Sequence, residues 1–263
     1  MTPAWTTDVV TPNLERAVHY TLLWGLEGVA LRTVGGAGDR VPFVNEAGTR
    51  RRLDDAELPV VAVDPGLFEG SWSARAGWLN DLAVLDDAAA FAARVGCPVV
   101  RVGALGGEGG PYDAAAAADA LRRAGDVAAA RGVRLAVRNE AGTGLAAGAD
   151  LAALVGAVGH ASVGADWRPA DARAAGEEPA AGLAALLDAG VPVVTVGVRD
   201  RTADGEDAVP GEGGVGWAGQ LGALAAAGWD GPLVLDGLPA PPARHGLAAA
   251  TALVGLARRA GRG

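Results

Sequence analysis

Lysine is missing altogether, so all 22 basic residues are arginines and neither a Schiff base nor a P-loop lysine is available. The single cysteine, Cys97, excludes an internal disulfide framework and a cysteine-built zinc site, as expected in a reducing compartment. Aromatic residues make up only 5% of a chain that is 50% hydrophobic, so its core must be built from Ala, Val and Leu. Met1–Val10 has no basic region followed by an apolar one, and no uncharged apolar stretch is long enough to cross a bilayer. A cytoplasmic protein is expected. Positive charge is scarce as well: 22 basic against 31 acidic residues give a formal charge of −9, which opposes binding to nucleic acid or to an anionic membrane surface. A small polar ligand is the expected partner.

What the 263 residues do contain is punctuation, with 41 glycines and 15 prolines falling between apolar runs. Eight short aliphatic runs alternate with Ala-rich helical segments: Ala4–Val10, Glu27–Thr33, Pro59–Val63, Pro98–Gly103, Val133–Arg138, Ser162–Trp167, Pro192–Val198 and Pro232–Asp236. The helical segments are Pro12–Trp24, Leu79–Val95, Asp113–Arg131, Ala149–Val158, Ala180–Ala189, Trp217–Ala227 and Gly246–Ala260. Thr11 reads as an N-cap before Pro12, and Gly96, Gly132, Gly190 and Gly228 as helix stops. Eight βα units in this length predict an α/β fold, a closed (β/α)₈ TIM barrel forming one domain over residues 1–263. The long connections Val34–Asn45, Asp64–Trp78 and Arg199–Gly216 are then expected on the active face.

Several words at the strand ends carry a resemblance: GLEGVALR (25–32), RVGAL (101–105), LAVRNEAGT (135–143), GADWRPADARAAGE (164–177), VTVGVRD (194–200), VPGEGGVGW (209–217) and GWDGPLVLDG (228–237). In this order they resemble the xylose isomerase-like sugar phosphate isomerase/epimerase superfamily over nearly the whole chain. The resemblance implies a TIM barrel, isomerase chemistry on a carbohydrate, a divalent metal and a homodimer. That metal is held in the family by Glu, Asp, His and Glu at four strand ends, and the matching positions here are Arg138, Arg168, Gly197 and Asp236. Two guanidinium groups and a glycine make a poor cation site, so no metal and no other cofactor is expected.

Strand alternation sorts Ala30 and Arg32, Ala62 and Asp64, Arg101 and Gly103, Ala136 and Arg138, Asp166 and Arg168, and Val234 and Asp236 onto the barrel face. The pocket chemistry is therefore Arg32, Arg101, Arg138 and Arg168 against Asp64, Asp166 and Asp236, with Glu140, Arg199 and Asp200 on adjoining loops. Two readings follow. Arginine forks can bind the phosphate or carboxylate of a small anionic, sugar-like ligand while Glu140 or Asp236 moves a proton. Alternatively, Arg138 and Arg168 pair with Asp236 and Asp166 as a neutral plug in a non-catalytic descendant, a ligand-binding or structural partner. His19 and His160 read as structural, while His245 alone could approach the pocket from a Pro-rich loop. The run Gly103–Gly110 lacks the phosphate-loop spacing. Trp72 and Trp78 suit either sugar covering or a subunit contact, and Ser71, Ser73 and Cys97 lack the setting of a nucleophile.

Overall fold

A computed structural model describes residues 1–36, 38–107 and 111–261. Each of the eight predicted runs overlaps a barrel strand: β1 (Thr2–Thr6), β2 (Gly28–Leu31), β3 (Val60–Val63), β4 (Val99–Val102), β5 (Arg134–Arg138), β6 (Val163–Trp167), β7 (Val193–Val198) and β10 (Pro232–Leu235), with β8 (Asp200–Arg201) and β9 (Asp207–Ala208) forming a separate hairpin between the last two. Their order, β1-β10-β7-β6-β5-β4-β3-β2, is that of a closed barrel, and the printed pairings are parallel, such as Val100 beside Leu135 and Leu135 beside Val163. Contacts group into two compact units, residues Met1–Val61 with Thr195–Gly263, and Ala62–Val194.

Within Ala62–Val194 the helices are α3 (Arg75–Arg94), α4 (Ala114–Ala130), α5 (Gly148–Val158), α6 (Pro169–Ala174) and α7 (Pro179–Asp188). Alanine and glycine let them lie close: α5 and α7 approach at Gly148, whose added Cβ would lie 2.6 Å from the Gly182 Cα. Glu177 completes this corner by accepting the amides of Gly148 and Ala149, which α5 lacks a side-chain cap to satisfy. The other unit carries α1 (Leu14–Leu23), α2 (Glu46–Asp55), α8 (Trp217–Ala226) and α9 (Pro242–Ala260). Its few aromatics are concentrated: Trp5 is buried, sits edge-on to Trp24, and donates its indole N–H to Thr21 Oγ1 at 2.8 Å.

Several local expectations are corrected. The first strand ends at Thr6, because Thr7–Val9 turns into a 3₁₀ helix. Asn13 rather than Thr11 caps α1, its Oδ1 accepting from the Arg16 amide. Helix α2 gives no apolar periodicity in the sequence, because EAGTRRRLDD is polar on most sides and buries only Gly48, Thr49 and Leu53. The short α6 is likewise unpredicted, α3 begins at Arg75, and α9 begins at Pro242, which puts His245 in a helix rather than a loop. Gly96, Gly132, Gly190 and Gly228 all adopt positive φ just past helix ends, as predicted.

Candidate functional site

In Ala62–Val194 the charged strand ends assemble around two centres. Arg101 stands level with Ala136, and Ala136 with Gly164, while Arg138 stands level with Asp166. The small side chains beside Arg101 leave room for its long one to cross to Asp166. Its Nε and Nη2 both donate to Asp166 Oδ2 at 2.9 Å, with both side chains fully buried. Arg168 Nε donates to the same oxygen at 3.2 Å. The Asp166–Arg168 pairing anticipated from sequence therefore forms, together with a second guanidinium that was not.

Arg138, at the end of β5 and only 5% exposed, is the second centre. Its Nη1 donates to buried Asp64 at 3.2 Å, its Nη2 to Glu69, and its Nε to Glu140 at 3.5 Å. Three donor edges of one cation thus face three carboxylates, of which Glu69 and Glu140 are 43% exposed. Glu69 was missed, since it lies on a loop where no strand parity applies. Buried Asn139 was also missed: its Oδ1 accepts from the Arg168 amide at 2.9 Å and its Nδ2 donates to the carbonyls of Arg168 and Ala146. It locks the backbone of Arg168 to the end of β5.

The remaining predicted residues lie in the other unit. Arg32 forks onto Asp8, with Nε 3.0 Å from both carboxylate oxygens and Nη2 2.8 Å from Oδ1. Asp8 was hidden by the overlong first strand. Asp236, half-buried just past β10, donates its amide to the Val198 carbonyl. Beyond β7, buried Asp200 accepts four backbone amides, those of Arg201, Gly211, Gly213 and Val215, at 2.8–3.1 Å, and so folds the VPGEGGVG segment onto itself.

The lesser candidates resolve simply. His160 accepts from the Ser162 amide and lies 3.3 Å from Asp126, a structural setting. Ser71 and Ser73 bond to each other, Trp72 donates to the Pro111 carbonyl, and Arg123 lies over the Trp78 ring. Burial pushes the Cys97 thiol up to about 12, which leaves it unreactive. Glu108, Gly109 and Gly110, the end of the glycine-rich run, lie outside the described residues.

A profile of xylose isomerase-like TIM barrels matches residues 20–253. The chain belongs to that family. No curated protein matches it. Solved structures with the same fold include 3-keto-D-glucoside 4-epimerase YcjR from E. coli, at 18% identity and a TM-score of 0.76 over 97% of this chain and 98% of that one. An L-ribulose 3-epimerase aligns at 17% identity and 0.78, covering 99% and 96%. D-psicose 3-epimerase from Clostridium cellulolyticum H10 aligns at 13% and 0.77, covering 99% of each. In this xylose isomerase-like barrel, the residues at the positions implied for a divalent metal do not fit one. Arg138 is itself a cation enclosed by carboxylates, Arg168 is held by Asp166, and Gly197 offers no donor. Among the described residues no three His, Cys, Asp or Glu side chains come together as a metal site.

Proposed function

We propose that this xylose isomerase-like barrel binds a small carbohydrate or hydroxy acid carrying a carboxylate or phosphate, and that it does so without a divalent metal. The observation that carries the reading is Arg138: a buried, permanently charged guanidinium with one buried carboxylate, Asp64, and two solvent-facing ones, Glu69 and Glu140. An anionic group arriving from solvent displaces an exposed carboxylate and takes over its edge of the fork, a planar, bidentate arrangement suited to carboxylate and phosphate. The displaced carboxylate then accepts ligand hydroxyls. For isomerisation or epimerisation, Glu140 or Asp236 takes the proton from the carbon beside a carbonyl, and a guanidinium stabilises the enolate oxygen that develops.

A second reading, a non-catalytic descendant retained as a binding or structural partner, is favoured by one observation. Asp166 Oδ2 already accepts three arginine N–H groups, a buried arrangement that balances its own charge without a ligand. One experiment separates the readings. Solvent deuterium exchange into candidate ketoses, aldoses and hydroxy acids is followed by NMR with and without a chelator, beside calorimetric binding. Exchange that survives chelation and falls by about 10²–10⁴ in Glu140→Gln or Asp236→Asn supports catalysis. Saturable binding without exchange, lost in Arg138→Gln, supports the second reading. Exchange that requires added manganese or cobalt overturns metal independence, and no binding by any candidate overturns the site.

A further inference from the structure

Just beyond β7, Arg199 and Arg201 present guanidinium groups whose Nε donors find no hydrogen-bond acceptor among the described residues. Their nearest carboxylate is Asp207 on the facing strand of the hairpin, 3.9 Å from Arg199 Nε and 3.6 Å from Arg201 Nε, ion-pair distances too long for hydrogen bonds. The only side-chain hydrogen bond either makes among the described residues is Arg199 Nη2 to the Asp236 carbonyl at 3.5 Å, and both Nε atoms are buried without a partner there. This contrasts with Arg101 and Arg138, whose donors meet carboxylates at 2.9–3.2 Å. The two side chains remain 30% and 28% exposed, so a solute can reach them.

Their placement is built rather than incidental. Arg199 packs closely against Gly237, where an added Cβ would clash with its Nε. Asp200, between them, turns its carboxylate to four backbone amides rather than to either guanidinium. One carboxylate is thus shared, at a distance, by two cations.

We infer that Arg199 and Arg201 form an oxyanion site that takes a phosphate group, either the free ion or a phosphate monoester. Asp207 cannot hydrogen-bond both guanidiniums at once from its present position. A tetrahedral phosphate dianion, with several acceptor oxygens, bridges both forks and matches their two charges. This goes beyond the proposed function, since it uses a different set of residues and holds whether or not Arg138 binds a ligand.

The test is calorimetric and thermal titration of the full chain with inorganic phosphate, and separately with glycerol 3-phosphate, in chloride buffer. Saturable one-site binding is expected, weakened at least about tenfold in Arg199→Gln and in Arg201→Gln. Asp207→Asn, which removes the competing carboxylate, is expected to tighten binding, whereas a purely structural ion pair predicts no gain in affinity. Tighter binding of the ester identifies a phosphorylated metabolite as the ligand; binding of the free ion alone identifies a phosphate-ion site. No saturable binding in the millimolar range, or binding that survives Arg199→Gln and Arg201→Gln, overturns the inference. Loss in Arg138→Gln with retention in Arg201→Gln moves phosphate to the Arg138 cluster and leaves the proposed function standing.

Discussion

At the scale of single residues, Asp166 is the side chain with most at stake. Its Oδ2 accepts from Arg101 twice and from Arg168 once, and neither Asp166 nor Arg101 touches solvent. Replacing one partner leaves a buried charge uncompensated, so Asp166→Asn is expected to cost about 3–5 kcal/mol in urea unfolding. An exposed pair such as Arg131–Asp86 shows the contrast. Its hydrogen bonds to Arg131 hold the Asp86 carboxyl below the usual range, but in open solvent such pairs add little. Cys97 gives a pH-dependent test. Burial raises its thiol from 9.0 to about 12, so the folded chain holds this proton more tightly than the unfolded one. The associated stability is present below pH 9 and is lost as pH rises toward 12. A disulfide reagent at pH 8 is therefore expected to leave the native thiol untouched and to titrate it after unfolding in guanidinium.

At the scale of elements, tight backbone approaches and single polar contacts set the joins. Gly103, just past β4, lies against the Phe68 carbonyl, where a Cβ has no room, while Gly103 and Leu105 donate amides to Leu67 and Phe68. Gly103→Ala is expected to push this loop away and lower stability by about 1–3 kcal/mol, with faster amide exchange over residues 67–69 as the local readout. Between β1 and α1, Thr21 Oγ1 accepts from Trp5 and donates to the Ala17 carbonyl. Thr21→Val keeps the shape and strands the buried indole N–H, for an expected loss of about 1–3 kcal/mol in thermal or chemical unfolding. Asp200 does for the 211–215 loop what a side-chain cap does for a helix.

At the scale of the whole molecule, the family scaffold is retained, while three of the four positions that the resemblance implies for a metal hold Arg138, Arg168 and Gly197 and the fourth keeps a carboxylate, Asp236. After incubation with manganese, cobalt, magnesium or zinc and desalting, elemental mass spectrometry is expected to find essentially no bound metal. About one equivalent would overturn the proposed metal independence. No described helix is long and apolar enough to cross a membrane.

The sequence by itself determined the barrel and the family. Each aliphatic run overlaps a barrel strand, because strands buried on both faces are largely apolar, and glycine ends the helices because a positive φ is needed there. Alternation likewise brought Arg101, Arg138, Asp64, Asp166 and Arg168 to linked positions. Helix α2, polar on most sides, stayed hidden, and Glu69, Asn139 and Asp8 escaped notice because loop residues follow no period. Only the tertiary structure decided the partners. Arg138 meets Asp64 and Glu69 from 74 and 69 residues away, and which carboxylate fills which edge of a guanidinium depends on loop paths and residual space that no local pattern encodes.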